Sequence, residues 1–155
     1  MSLNDDIALL AGVPTLAIFD REALRLIAFA AETRNLRAGD VLFRRGEPAN
    51  AGFVVVRGSI ALDARDDGSP AGYVAGPGTL IGELALIVRT DRPATAIARE
   101  PSTVMKLTRN VVHRVLGEFP EAAVALRRVM AERLSTMTHD LARVRGALMA
   151  IDERR

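Results

Sequence analysis

The apolar positions of this chain change their period twice. After Asp20, the residues Leu24, Ile27, Ala28 and Ala31 recur at helical spacing, and Asp20 is the kind of side chain that accepts the free N–H groups of a first turn. The pattern predicts an amphipathic helix over about Arg21 to Glu32. From Thr33 to about Leu107 the period shortens. Apolar runs at Val41-Leu42-Phe43, Phe53-Val54-Val55-Val56, Ile60-Ala61-Leu62, Ala94 to Ala98 and Val104-Met105-Lys106-Leu107 are separated by glycine-bearing turns. The breakers Ala38-Gly39-Asp40, Arg45-Gly46-Glu47-Pro48, Arg57-Gly58, Asp67-Gly68-Ser69-Pro70 and Gly76-Pro77-Gly78 supply a positive or fixed φ where strands reverse. This part reads as an antiparallel β-sandwich or β-roll. Thr108 then caps a helix over Arg109 to about Glu118, and Pro120 stands where a first helical residue opens a long third helix, to about Ile151.

Within that last helix Met130, Leu134, Met137, Leu141, Val144, Leu148 and Ile151 follow alternating steps of four and three, the a/d stripe of a coiled coil. With Leu134, Leu141 and Leu148 at a, Asp140 falls at g and Arg145 at the next e, opposite charges that meet across a parallel pair. A parallel homodimer through the 130–151 helix is expected; the alternative is a stripe that covers the β-roll. The whole chain, 1–155, is expected to be one domain: N-terminal helices over 1–32, the roll over 33–107 and C-terminal helices over 108–151.

Composition narrows the function classes. At 155 residues and 49% hydrophobic, the chain has material for one well-buried core. Its 21 Lys+Arg against 19 Asp+Glu leave a net charge of +2, which gives little support to nucleic-acid binding. There is no cysteine, so disulfides and thiolate sites are excluded, and two histidines starve metal chemistry of ligands. His113 and His139 read as surface residues. Arg127, Arg128, Arg133, Arg143 and Arg145 alternate with Glu132 and Asp140 as a solvated helix face does. Met1 to Leu10 has no basic segment before its short apolar run, and no stretch approaches the roughly 18 apolar residues of a membrane span. A soluble, cytoplasmic protein without a membrane partner is expected.

The candidate chemistry lies in residues 81–95. An apolar helical turn opens at Gly82-Glu83, a short polar loop follows, and Arg92 comes just before a strand. Such a turn presents free N–H groups to one anion, and glycine lets a ligand approach the backbone. Glu83 would repel that anion, so its carboxylate suits sugar hydroxyls, while the planar guanidinium of Arg92 can fork onto a phosphate. The residues alone equally allow Glu83 and Arg92 to form a structural ion pair.

Gly82-Glu83-Leu84-Ala85-Leu86, with Arg92 ten residues after Gly82 and Ala94-Thr95 beyond it, resembles the phosphate-binding cassette of cyclic-nucleotide-binding domains. Catabolite activator proteins, protein kinase A regulatory subunits and cyclic-nucleotide-gated channels carry it. Ala38-Gly39-Asp40-Val41-Leu42-Phe43, Gly46-Glu47 and Phe53-Val54-Val55-Val56-Arg57-Gly58 are similar to that family's first strands, and the likeness runs from about Leu16 to Leu141. The resemblance implies a mainly β fold with flanking helices, a jelly-roll-like antiparallel β-roll followed by a long C-terminal helix. It implies that Glu83 binds the ribose 2′-hydroxyl, Arg92 binds the cyclic phosphate, and Gly82, Leu84 and Ala85 line the pocket with backbone groups, with Pro93, Ala94 and Thr95 completing the cassette. Met130-Ala131-Glu132-Arg133-Leu134 resembles the catabolite-activator helix that closes over the base. This makes Thr138 a candidate base contact and Met137 a departure.

Two further departures stand out. Pro93 follows Arg92 where the family carries Ala, Ser or Thr, and proline has no N–H to offer a phosphate. Guanine-selective members place threonine there, so cAMP is favoured over cGMP. The transcription-factor relatives continue into a helix-turn-helix, whereas this sequence ends at Arg155, so no DNA-binding module is expected and the downstream protein is unknown. The function expected is a regulatory sensor that relays cyclic-nucleotide occupancy through the dimerisation helix, with no other cofactor. The competing reading is a ligand-free structural or dimerising module with a degenerate cassette. Catalysis is not expected: a metal-binding β-roll enzyme wants histidines on its strands, and both histidines lie outside the predicted sheet.

Overall fold

The computed structural model describes residues 2–63 and 72–132. Helix α1 (Leu3–Ala11) starts at a reciprocal cap, in which Asp5 N–H donates to Ser2 Oγ and Ser2 N–H donates to the Asp5 carboxylate. A 3₁₀ turn (Pro14–Ile18) leads to α2 (Arg21–Ala30), where the Asp20 side chain accepts from Ala23 N–H as the sequence predicts. The helix stops at Ala30, short of the expected Glu32. Ala31 is extended and Glu32 opens β1 (Glu32–Leu36), paired with Lys106 across the sheet. No glycine or proline marks that end, and strand pairing sets it.

The strands that follow are β2 (Val41–Phe43), β3 (Pro48–Ala49), β4 (Ala51–Arg57), β5 (Ile60–Asp63), β6 (Tyr73–Ala75), β7 (Leu80–Ile81), β8 (Thr90–Asp91), β9 (Thr95–Ala98) and β10 (Ser102–Thr108). Strand β9 begins at Thr95, one residue after the expected Ala94. A four-residue 3₁₀ turn, Glu83–Leu86, separates β7 from β8. Helix α3 (Arg109–Glu118) begins at Thr108, whose hydroxyl accepts from Val111 N–H, and residues 120–132 are helical and are called α4. The heptad stripe beyond Met130, together with Met137, Thr138 and His139, lies outside the described residues.

Among the described residues all pairings are antiparallel. One sheet runs β1-β10-β4-β7, a second β2-β9-β5-β6, and β3 pairs with β8 as a separate ribbon. This is the expected β-roll with flanking helices. Strand β4 shows why its sequence is apolar without alternation: Phe53 and Val55 face a core shared with Leu42, Phe43, Ile60, Ala96 and Val104, while Val54 faces the helices. The second core, on the helix side, gathers Leu10, Leu16, Leu24, Ile27, Met105, Leu107, Val112 and Val115. Among the described residues five glycines sit at positive φ, including Gly58 at 89°, where an added Cβ would collide with Ser102. No helix among the described residues is long and apolar enough to cross a membrane.

Candidate functional site

The cassette is set at the join of the two cores. Gly82, at φ 77° and ψ 34°, turns the chain out of β7 in the left-handed region. The turn that follows is a single turn of 3₁₀ helix, so it offers much less dipole than the helical opening inferred from sequence. Its far side is gripped by α3: Arg109 Nη1 donates to Val88 O at 3.0 Å and Ala49 O at 3.3 Å, and His113 Nε2 donates to Ile87 O at 3.0 Å. His113 therefore fastens the cassette to α3 from a surface position, a role that its sequence context does not reveal.

Arg92 is placed from the other side. Its N–H donates to Glu47 O at 2.8 Å and its carbonyl accepts from Gly46 N–H at 2.8 Å, so its backbone is fixed between β3 and β8. The side chain turns inward and is only 6% exposed. Its guanidinium carbon lies 4.2 Å from the centre of the Phe43 ring and 5.5 Å from that of Phe53, within cation–π range. Gly82 makes the space: a Cβ there would stand 2.5 Å from Arg92 Nη1. Arg92 Nε is buried with no hydrogen-bond partner. Burial lowers the Arg92 pKa from its ordinary value, and the nearby charge of Glu47 partly opposes that shift. A desolvated guanidinium whose donors are not all engaged is an anion receptor in chemical terms.

Glu83 is placed elsewhere. Its Oε1 accepts a 2.6 Å hydrogen bond from Thr15 Oγ1, a residue 68 positions earlier in the Pro14–Ile18 turn. Glu83 lines a cavity of about 10 Å³ with Thr15, Leu16, Phe19, Leu86, Val112 and Leu126, on the helix side of the fold. The neighbours of Arg92 belong instead to the roll interior. The tight turn thus brings the two residues close along the chain, but their side chains enter different layers. The structural ion pair left open by the sequence is not formed among the described contacts.

The remaining cassette residues divide similarly. Ala85 is buried and its carbonyl accepts weakly from Arg109 at 3.5 Å. Leu84 is 56% exposed, Pro93 is exposed and Ala94 half-buried. Thr95 Oγ1 accepts from Arg45 N–H at 3.0 Å, which ties the second sheet to the loop before β3. Thr138 lies outside the described residues. Among those described, no group of three or more His, Asp or Glu side chains could hold a metal ion.

A roll of this topology with a buried arginine behind a left-handed glycine defines a ligand-binding β-roll, and comparison with known proteins identifies it further. The cyclic nucleotide-binding domain family matches residues 33–119, and the chain belongs to that family. It is 39% identical to a cyclic nucleotide-binding-like protein from Brucella abortus, with a TM-score of 0.67 over 73% of this chain and 98% of that one. The N-terminal domain of a transcriptional regulator from Streptomyces coelicolor superposes with a TM-score of 0.78 and 31% identity, covering 86% of this chain and 94% of that one. A cyclic nucleotide-gated potassium channel of Mesorhizobium japonicum is 32% identical over 125 residues, 81% of this chain and 34% of the channel. The chain also matches fungal lysophospholipases, but it spans 8% of the length of the Chaetomium globosum protein. That match covers 116 residues, 74% of this chain.

Proposed function

We propose that this chain is a sensor of a 3′,5′-cyclic nucleotide, cAMP in preference to cGMP, that works in the cytoplasm and relays occupancy through its C-terminal helix as a parallel homodimer. The observation that carries the reading is Arg92: a buried cation with an unpartnered Nε, stacked on two phenylalanines behind a glycine that leaves room for it. A fold has little reason to bury such a charge unless an anion completes it. Family membership supplies the kind of anion, and the proline at position 93 supports adenine over guanine. The dimer is supported by the heptad spacing, and a cysteine-free chain has no need of an oxidising compartment.

Calorimetric titration with cAMP and cGMP tests the proposal. Saturable binding of cAMP that is tighter than that of cGMP, and lost in Arg92→Ala, is the expected result; absence of heat with either nucleotide at millimolar concentration refutes it. A second reading, a structural module with a degenerate cassette, is favoured by one observation, the engagement of Glu83 by Thr15. That reading wins if Arg92→Ala alters basal stability and nothing else.

A further inference from the structure

The geometry points to a second ligand site, on the helix side of the β1-β10-β4-β7 sheet, that takes the zwitterion of a small α-amino acid with an apolar side chain. A cavity of about 210 Å³ is lined there by Asp6 of α1, by Asn35, Arg57 and Thr103 of the strands, and by the apolar side chains of Val56 and Met105. Strand register sets its floor. Met105, a member of the helix-side core, pairs with Thr33 of β1, and two residues along Thr103 pairs with Asn35, so these four share one face. On β4 Val54 stands opposite Met105, and strict alternation from there would send Arg57 into the roll interior with Val55. The register shifts between Thr103 and Val104 instead, and Arg57 comes to lie opposite Thr103. One extra residue in a strand re-aims the side chain that follows it. This irregularity puts an arginine on the cavity beside Val56, across the sheet from Arg92 and its two phenylalanines.

The groups that meet in this cavity carry both signs of charge. Asp6 is half-buried and Arg57 exposed, and among the described residues neither side chain has an ion pair or a hydrogen bond. Thr103 Oγ1 donates to Asn35 Oδ1 at 3.0 Å, which fixes the amide by its oxygen and leaves its N–H groups to donate. A guanidinium forks onto a carboxylate, and a carboxylate accepts from an ammonium. A molecule that carries both groups on one carbon answers Arg57 and Asp6 together, whereas a singly charged one leaves one of them uncompensated. The cavity is smaller than the roughly 300–1,000 Å³ of sites for drug-sized ligands, which suits a single amino acid. Half-buried Val56 and buried Met105 offer its side chain an apolar contact.

Titration of the full chain with L-valine, followed by backbone amide NMR, tests the site. Saturable shifts in the millimolar range are expected at the amides of Asn35, Arg57 and Thr103. Isobutylamine and isovalerate keep the valine side chain with one charge each, and should bind the parent about tenfold more weakly, the loss of one hydrogen-bonded charge. Arg57→Gln and Asp6→Asn should weaken valine by a similar factor, and Arg92→Ala should leave it unchanged. Absence of saturable shifts at tens of millimolar valine overturns the site, as does binding of either singly charged analogue as tight as that of valine. Full valine affinity in both charge variants, or its loss in Arg92→Ala, places the ligand elsewhere and overturns it too. The analogue comparison is made on the parent protein, so it decides the matter even where a variant does not fold, and its outcome is independent of whether the cassette takes a cyclic nucleotide.

Discussion

Arg92→Met should make the ligand-free protein more stable while it abolishes binding. The arginine costs stability because its Nε is buried without a partner, and a buried unsatisfied donor costs about 1–3 kcal/mol, more when the group is charged. Against this stands the contact of the guanidinium with Phe43 at 4.2 Å and Phe53 at 5.5 Å, worth about 0.5–2 kcal/mol. Methionine is unbranched and similar in reach, and its thioether recovers part of the aromatic contact, about 0.3–1.5 kcal/mol. Glu47, whose charge partly offsets the burial, is exposed and is rehydrated cheaply when the cation is removed. The terms leave a net gain of about 1 kcal/mol, or roughly 2–4 °C in melting temperature for a chain of this size. Differential scanning calorimetry with and without millimolar cAMP reads both halves of the prediction. The parent melts higher with ligand, and the variant melts at one temperature in either condition. A variant several degrees less stable than the parent would show that Arg92 is a packing strut, and a retained ligand shift would remove it from the binding site.

Gly58→Ala should destabilise the fold by about 3 kcal/mol, measured by urea denaturation, because φ is 89° and the new Cβ would collide with Ser102 Oγ and lie 2.7 Å from Pro101 O. Pro93→Ala restores a backbone N–H beside Arg92 and should tighten cAMP about fivefold in calorimetry, the equivalent of about 1 kcal/mol for one hydrogen bond; no change would mean that this N–H never meets the phosphate. Helix α1 should loosen in acid. Hydrogen bonds from the Ser2 backbone and hydroxyl hold the Asp5 carboxyl below its ordinary 3.8, so the cap is complete above that pH and is lost as pH falls through the lower folded value. Protection factors of the α1 amides, corrected for intrinsic exchange, should fall over that range, and Ser2→Ala should show reduced protection already at neutral pH.

Local rules settled much of this chain before any contact was known. Asp20 and Thr108 cap their helices because an oxygen one or two bonds from Cβ reaches the N–H groups of the first turn, a geometry contained within four residues. Gly39, Gly46, Gly58, Gly78 and Gly82 mark reversals because only glycine takes positive φ without strain. Gly82, Glu83 and Arg92 stood out through their resemblance to a family's cassette and not through such local rules. Strand β1, by contrast, reads Glu-Thr-Arg-Asn-Leu and has no apolar alternation; it is a strand because β10 offers its edge, a partner about seventy residues away. The same holds for the two-residue strands β3 and β8, which have no pattern to detect and exist by pairing with each other.

The directions of the site side chains belonged to the tertiary structure as well. The sequence placed a carboxylate and a guanidinium nine residues apart, and from that alone a ligand site and a structural ion pair were equally open. Which layer each enters depends on Thr15 in one direction and on Phe43 and Phe53 in the other, none of them a near neighbour in the chain. Backbone conformation is chosen largely by sterics and hydrogen bonds among adjacent residues, so periodicity and turn chemistry report it. The environment of a buried charge is chosen by groups that only folding brings together, Phe43 and Phe53 around Arg92 and Thr15 beside Glu83.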